Sequence, residues 1–243
     1  MQIIPAIDIR DGRCVRLWQG DYAQETVYAA DPAAVALAWQ GAGAKRLHVV
    51  DLDGAAGRAG ANAAAIMALV QAVEIPVELG GGLRRESDLT AAFALGIDRA
   101  ILGTVAVENP NLVEWAVARF GEGIAVGIDA REGLVATRGW RETSAVPALA
   151  LAGRMVGLGV RRLIYTDIAR DGTLAGPNVG AMAEMARAVP VPVIASGGVS
   201  NLADLLALAE TGVEAAIVGR ALYTGKIDLV EALGALGAEE YAN

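Results

Sequence analysis

The chain has 243 residues, is 54% hydrophobic and carries a formal net charge of −8. An acidic chain without a basic run lacks the footprint of a nucleic-acid binder; no stretch reaches the roughly 18 uncharged apolar residues of a membrane span. A single cysteine, Cys14, excludes an internal disulfide and points to a reducing compartment, so a cytosolic protein is expected.

The opening residues, MQIIPAIDIRDGR, show neither a basic start nor a long apolar stretch, so no leader is expected there. They predict instead a first strand, Gln2–Asp8, followed by a helix over Asp31–Gly41. Further strands are predicted at Arg46–Asp51, Val77–Leu79, Arg99–Leu102, Ile124–Asp129, Arg162–Thr166, Val191–Ala195 and Ala215–Val218. Helices fall between and after them, at Asn62–Val73, Arg85–Leu95, Leu112–Phe120, Ala148–Leu158, Val179–Ala188, Asn201–Glu210 and Leu229–Leu236. Near-continuous apolar strands alternating with amphipathic helices make a parallel sheet covered by helices. Eight such units in roughly 250 residues match a closed (βα)₈ barrel, the TIM-barrel α/β class.

An internal repeat sharpens that expectation. Residues 76–106 align without gaps on 192–222, with eleven of 31 positions identical. Gly81 matches Gly197, Gly82 matches Gly198, and Gly103 matches Gly219; the same offset sets Asp51 opposite Asp167. Residues 1–243 are therefore expected to form one barrel domain of two half-barrels, approximately 1–121 and 122–243.

The repeat duplicates a chemistry as well as a fold. In each half the third strand runs into a glycine pair, Gly81-Gly82 and Gly197-Gly198, and the fourth ends in Gly103-Thr104 or Gly219-Arg220. Glycine lets a backbone approach an anion closely, and free N–H groups at the next helix start can bind it. Arg220 adds a cation. Plain turn formation is the competing reading of each pair. Two pairs at one offset favour two phosphate grips on opposite sides of the barrel mouth, and so a bisphosphorylated small-molecule substrate.

Asp8 and Asp129 stand at the ends of strands one and five, where this fold carries its functional side chains. One ionised carboxylate can remove a carbon-bound proton while a protonated partner donates to a ring oxygen. Loop capping, or pairing with Arg10 and Arg131, is the structural alternative. Thr166 is expected to orient Asp129, and Asp171 is a rival general acid. For Asp51 a loop-organising role is at least as good a reading as catalysis. His48 reads as a structural residue. One His and one Cys leave no nucleophilic triad and no zinc cluster, and Lys45 and Lys226 lie away from strand ends. Trp140, beside Arg138 and Arg141 in the loop after strand five, either stacks on a planar heterocycle or anchors that loop. Trp18, in the long first loop, is a candidate lid residue.

The motifs IPAIDIRDGRCVRLWQGD, HVVDLDGA, ELGGGLR, GTVAVENP, VGIDAREG, TDIARDGTLAGPN, ASGGVSNLADL and IVGRALY resemble, across essentially the whole chain, the phosphoribosylformimino-aminoimidazole carboxamide ribotide isomerases of histidine biosynthesis. The resemblance implies an Amadori rearrangement of an aminoaldose to an aminoketose, with no metal or organic cofactor. It implies Asp8 as proton acceptor and Asp129 as the usual proton donor. It also implies phosphate contacts at Gly81, Gly82, Gly103, Thr104, Gly197, Gly198, Gly219 and Arg220. The related cyclase subunit of imidazole glycerol phosphate synthase typically begins Pro-Cys-Leu-Asp, with lysine where this chain has Arg16, so Pro-Ala-Ile-Asp favours the isomerase. Arg138-Gly139-Trp140 resembles the loop of isomerases that also accept phosphoribosyl anthranilate. No large exposed apolar patch is marked in the sequence, and a monomer is the working expectation.

Overall fold

Along the first strand, side chains alternate between two destinations, as extended backbone requires. Ile3, Ile7 and Ile9 pack outward among the helices, while Ile4 and Ala6 join Ile101, Ala125, Ile164, Ile194, Ala215 and Ile217 in a separate inner cluster. A computed structural model describes residues 1–240. Its strands are β1 (Gln2–Arg10), β2 (Arg13–Trp18), β3 (Asp21–Ala29), β4 (Leu47–Asp51), β5 (Val77–Gly80), β6 (Arg99–Leu102), β7 (Ile124–Arg131), β8 (Leu134–Thr137), β9 (Glu142–Pro147), β10 (Leu163–Asp167), β11 (Val193–Ser196) and β12 (Ala215–Val218). Eight of these close a parallel barrel in the order β1, β4, β5, β6, β7, β10, β11, β12, with β12 pairing back onto β1. The fold is a (βα)₈ barrel.

The helices are α1 (Pro32–Gly41), α2 (Leu52–Ala55), α3 (Ala63–Ala72), α4 (Glu86–Ala94), α5 (Val105–Glu108), α6 (Pro110–Phe120), α7 (Ala148–Gly157), α8 (Val179–Ala188), α9 (Leu202–Ala209), α10 (Arg220–Tyr223) and α11 (Leu229–Glu240). Asp31 caps α1 by accepting from Ala33 N, with Pro32 at the first helical position. Asn201 and Asp204 form a reciprocal capping box on α9. The eight expected helices all form. The short α2, α5 and α10 were not foreseen.

Two expected loops are strands. β1 continues past Asp8 to Arg10 and turns at Asp11-Gly12 into β2, which pairs on into β3. In the second half β7 continues past Asp129 and turns at Glu132-Gly133 into β8 and β9. Both two-residue turns have positive φ at each centre, +47° and +73° in the first, +50° and +78° in the second. That twist matches the strands it joins. Trp18 thus ends β2, and Trp140 lies in the turn between β8 and β9.

A polar cluster lies within the barrel. Glu78 is fully buried; its carboxylate is 2.8 Å from His48 Nδ1 and accepts from Arg99 Nη1 at 2.7 Å. Burial works against its charge, yet His48 and the arginines hold its pKa below the ordinary value.

Candidate active site

Strand parity aims the acidic side chains. Asp8 follows Ile4 and Ala6 on the inner face of β1, Asp129 follows Ala125 and Gly127 on β7, and Thr166 follows Ile164 on β10. A cavity of about 240 Å³ opens there, lined by Asp8, Asp129, Thr166 and Asp171. Gly81, Gly82, Gly103 and Thr104 form part of its wall, as do Gly197, Gly198, Gly219, Arg220 and Trp140. These candidates therefore meet in one place, whereas Asp51 and Trp18 do not line it. Asp51 has the opposite parity. It caps α2 by accepting from Gly54 N at 2.9 Å and receives Asn62 Nδ2 at 2.7 Å, which is the loop-organising arrangement. Asp167 repeats it, accepting from Ala169 N at 3.1 Å and Asn178 Nδ2 at 2.8 Å.

The glycine pairs have two reasons to be glycine. Gly81 and Gly82 have φ of +102° and +77°, and Gly197 and Gly198 have φ of +94° and +90°. Space is the second reason. A Cβ on Gly81 or Gly82 would strike the backbone of Asp51 or Gly54, and one on Gly198 would lie 2.5 Å from Gly176 O. Each pair thus packs against the loop of the preceding unit, and the turn reading and the cavity-lining reading hold together. Gly103 differs: its nearest neighbour to a Cβ is Gly127 O at 4.0 Å. α5 and α10 begin directly after Gly103-Thr104 and Gly219, placing free N–H groups at the two edges.

The carboxylates sit in unequal surroundings. Asp129 is raised from its ordinary pKa by burial, although Trp140 and Thr166 hydrogen-bond it and pull the other way. The Trp140 Nε1–H donates to Asp129 Oδ2 at 2.7 Å. Asp171 is pushed up to about 6, chiefly by burial, with Asp8 and Asp129 adding like charge and Arg16 opposing. Asp8 pairs with neither Arg10 nor Arg131. Its Oδ2 is 2.8 Å from Arg16 Nη1, while Arg10 binds Glu25 and Arg131 binds Thr143. Burial opposes the charge of Arg16, and Asp8 and Asp171 more than offset it, so its pKa is raised.

Arg16 and His48 also line the cavity, and the sequence reading assigned them no part in it. The signal for Arg16 was Asp11-Gly12, a strong hairpin dipeptide between apolar runs. A hairpin there sets Val15 opposite Asp8 and carries Arg16 to the mouth. For His48 the signal was its parity with Val50 on β4. Trp140 does not sit as a free stacking platform. Its ring covers Gly20, where a Cβ would lie 2.6 Å from Cε3, so it joins the tips of the two hairpins. Trp18 stacks under Arg220, whose guanidinium carbon is 5.1 Å from the ring centre.

The family model described as "Histidine biosynthesis protein" matches residues 2–228. A relative from Chloroflexus aggregans is 58% identical over 233 residues, covering 96% of this chain and 97% of its own. One from Gloeothece citriformis is 59% identical over 240 residues, covering 98% and 93%; one from Dehalococcoides mccartyi is 56% identical over 232 residues, covering 96% and 98%. All three are named 1-(5-phosphoribosyl)-5-((5-phosphoribosylamino)methylideneamino)imidazole-4-carboxamide isomerase. The chain belongs to the histidine biosynthesis protein family.

Proposed function

We propose that this chain is the aldose–ketose isomerase of histidine biosynthesis, converting the bisphosphorylated aminoaldose ribotide to its aminoketose by an Amadori rearrangement. Its full-length relatives carry the name of that isomerase. The observation that carries the reading in this chain is the set of three carboxylates, Asp8, Asp129 and Asp171, gathered between two glycine-lined edges. Asp8 is the general base. The acid is Asp129 or Asp171, because burial favours the protonated form of each and lifts Asp171 to about 6.

In this scheme the acid protonates the furanose ring oxygen, and the C1–O bond breaks as the amine nitrogen lends its electrons. Asp8 then removes the C2 proton, giving an enolamine; C1 takes up a proton as the C2 hydroxyl gives up its own, which leaves the ketone and balances the proton gained by the ring oxygen. C2 loses one hydrogen and C1 gains one, so no external oxidant or reductant enters. Gly81, Gly82, Gly103 and Thr104 hold one phosphate; Gly197, Gly198, Gly219 and Arg220 hold the other. Thr166 orients Asp129, and Trp140 closes over the substrate.

The reading extends to organisation. We take residues 1–243 as one domain of two half-barrels near 1–121 and 122–243; residues 241–243 lie outside the described residues. The paired hairpins after Asp8 and Asp129 and the paired Asp51–Asn62 and Asp167–Asn178 bonds support that division. Among the described residues no helix is long and apolar enough to cross a membrane; a cytosolic monomer is the proposal.

The test is direct. Purified chain incubated with the aminoaldose ribotide should form the aminoketose without ammonia or a glutaminase partner. Ammonia-dependent product would point to the cyclase instead, and turnover of phosphoribosyl anthranilate would widen the substrate range.

A further inference from the structure

Arg16 stands between the proposed base and the glycine that opens the second phosphate edge. Its Nη1 is 2.8 Å from Asp8 Oδ2, and the two side chains are only 12% and 16% exposed. Its other guanidinium nitrogens lie so close over Gly219 that no Cβ fits there. Arg220 can meet that phosphate with the backbone N–H that opens α10, but its guanidinium is engaged elsewhere: Nη1 donates to Gly172 O at 2.6 Å, and the group lies over Trp18.

Two needs therefore fall on one guanidinium. When Asp8 takes a proton from carbon, through either oxygen, it loses the charge that pairs it with Arg16, so this largely buried ion pair opposes the transfer. A phosphate reaching Gly219 meets the same guanidinium already in place. A phosphate dianion offers more charge and a better match to the guanidinium fork than one carboxylate oxygen.

We propose that Arg16 is a positioning residue that passes from Asp8 to the phosphate seated at Gly197, Gly198 and Gly219, so that seating this phosphate frees the base. The proposal rests on the reading of Asp8 as base and of this edge as a phosphate site. It makes proton abstraction conditional on a group remote from C2, so binding energy there raises kcat rather than only lowering KM.

The test uses inorganic phosphate and the full chain carrying Gly103→Asp. That position has room for a side chain, and the new carboxylate bars anions from the first edge. Phosphate dissociation constants are measured by calorimetry for this protein and with Asp8→Asn, Arg16→Met, and both. Asp8→Asn should tighten phosphate by roughly tenfold, within the usual range of coupling between sites. Arg16→Met should weaken it by roughly tenfold or more, and should abolish the tightening by Asp8→Asn. Equal tightening with and without Arg16 would mean a field effect alone and overturn the transfer. Unchanged phosphate affinity in Arg16→Met would overturn it too. If Arg16→Met loses its native circular dichroism, Arg16→Gln removes the charge more gently and carries the same expectation.

A kinetic arm reads the same device. A substrate lacking the second-edge phosphate should lose kcat, and added inorganic phosphate should restore part of it in the wild-type chain but not in Arg16→Met. Restoration in both would contradict the proposal. The base reading fails separately, if Asp8→Asn turns over intact substrate; the phosphate reading fails separately, if the Gly103→Asp protein binds no phosphate.

Discussion

Trp140 Nε1 donates a 2.7 Å hydrogen bond to Asp129 Oδ2 across the barrel mouth. The bond ties the β8–β9 turn to the end of a barrel strand, and it favours the ionised form of Asp129, against the burial that raises its pKa. Replacing Trp140 by phenylalanine keeps the ring on Gly20 and removes the donor. A hydrogen bond to a charged group is worth about 1.5–3 kcal/mol, and Trp140→Phe is expected to lose about 1–2 kcal/mol in urea unfolding where Asp129 is ionised. The sign with pH follows. The bond lowers the pKa of Asp129 relative to the variant, so the wild-type advantage is present in the ionised range and disappears as pH falls and Asp129 protonates in both proteins.

Asp171 carries the opposite sign. Its folded pKa, about 6, lies above the ordinary carboxylate value, chiefly through burial. The folded chain thus holds an extra proton between the ordinary value and about 6, and its stability falls as pH rises through that window. Asp171→Asn should be more stable than wild type by about 2 kcal/mol at pH 7.5, with the gap closing by about pH 4. If Asp171 is the acid, the same variant loses turnover by about 10²–10⁴-fold. Asp129→Asn, assayed beside it, settles which carboxylate donates.

How far the sequence could be read follows from strand ends and repeat. Asp8, Asp129 and Thr166 are legible as site residues because each ends a predicted strand, and Asp8 and Asp129 do so at the same place in the two halves. The glycine edges were legible because they occur twice. The hairpins β1–β2 and β7–β8 were signalled only by Asp11-Gly12 and Glu132-Gly133, two residues each, and passed as loops. Arg16 went unassigned with them: its ion pair with Asp8 exists only once β2 folds back. The mutual packing of Gly82 and Gly54 is likewise a long-range contact that no local pattern carries.

That packing separates two kinds of glycine. A Cβ on Gly82 would strike Gly54 backbone at a φ of +77°, whereas Gly103 has open space. Gly82→Ala is expected to cost about 2 kcal/mol or more, through strain and clash. Gly103→Ala should leave the melting temperature nearly unchanged and raise KM. A loss of stability in Gly103→Ala, measured by calorimetry, would assign that glycine to packing instead.

Asn62 anchors the first hairpin. It is buried, donates to Asp51, Asp53 and Ile9 O, and accepts from Gly12 N at 2.9 Å. Asn62→Ala takes one donor from each of Asp51 and Asp53, which keep Gly54 N and Asp11 N, and leaves the Gly12 N–H without its acceptor, at about 1–3 kcal/mol in all. Its counterpart Asn178 donates to Asp167 and accepts from Ala181 N. Hydrogen exchange should therefore quicken in β2 and β3 for Asn62→Ala, while Asn178→Ala leaves β8 and β9 unchanged.

The central claim is that Asp8 takes the C2 proton of the aminoaldose. Asp8→Asn keeps the shape of the side chain and removes the base, and its single-turnover rate with the bisphosphorylated ribotide is the most direct measurement. A fall of about 10³-fold or more, with substrate binding retained, is the predicted result. Turnover within about tenfold of wild type would contradict it.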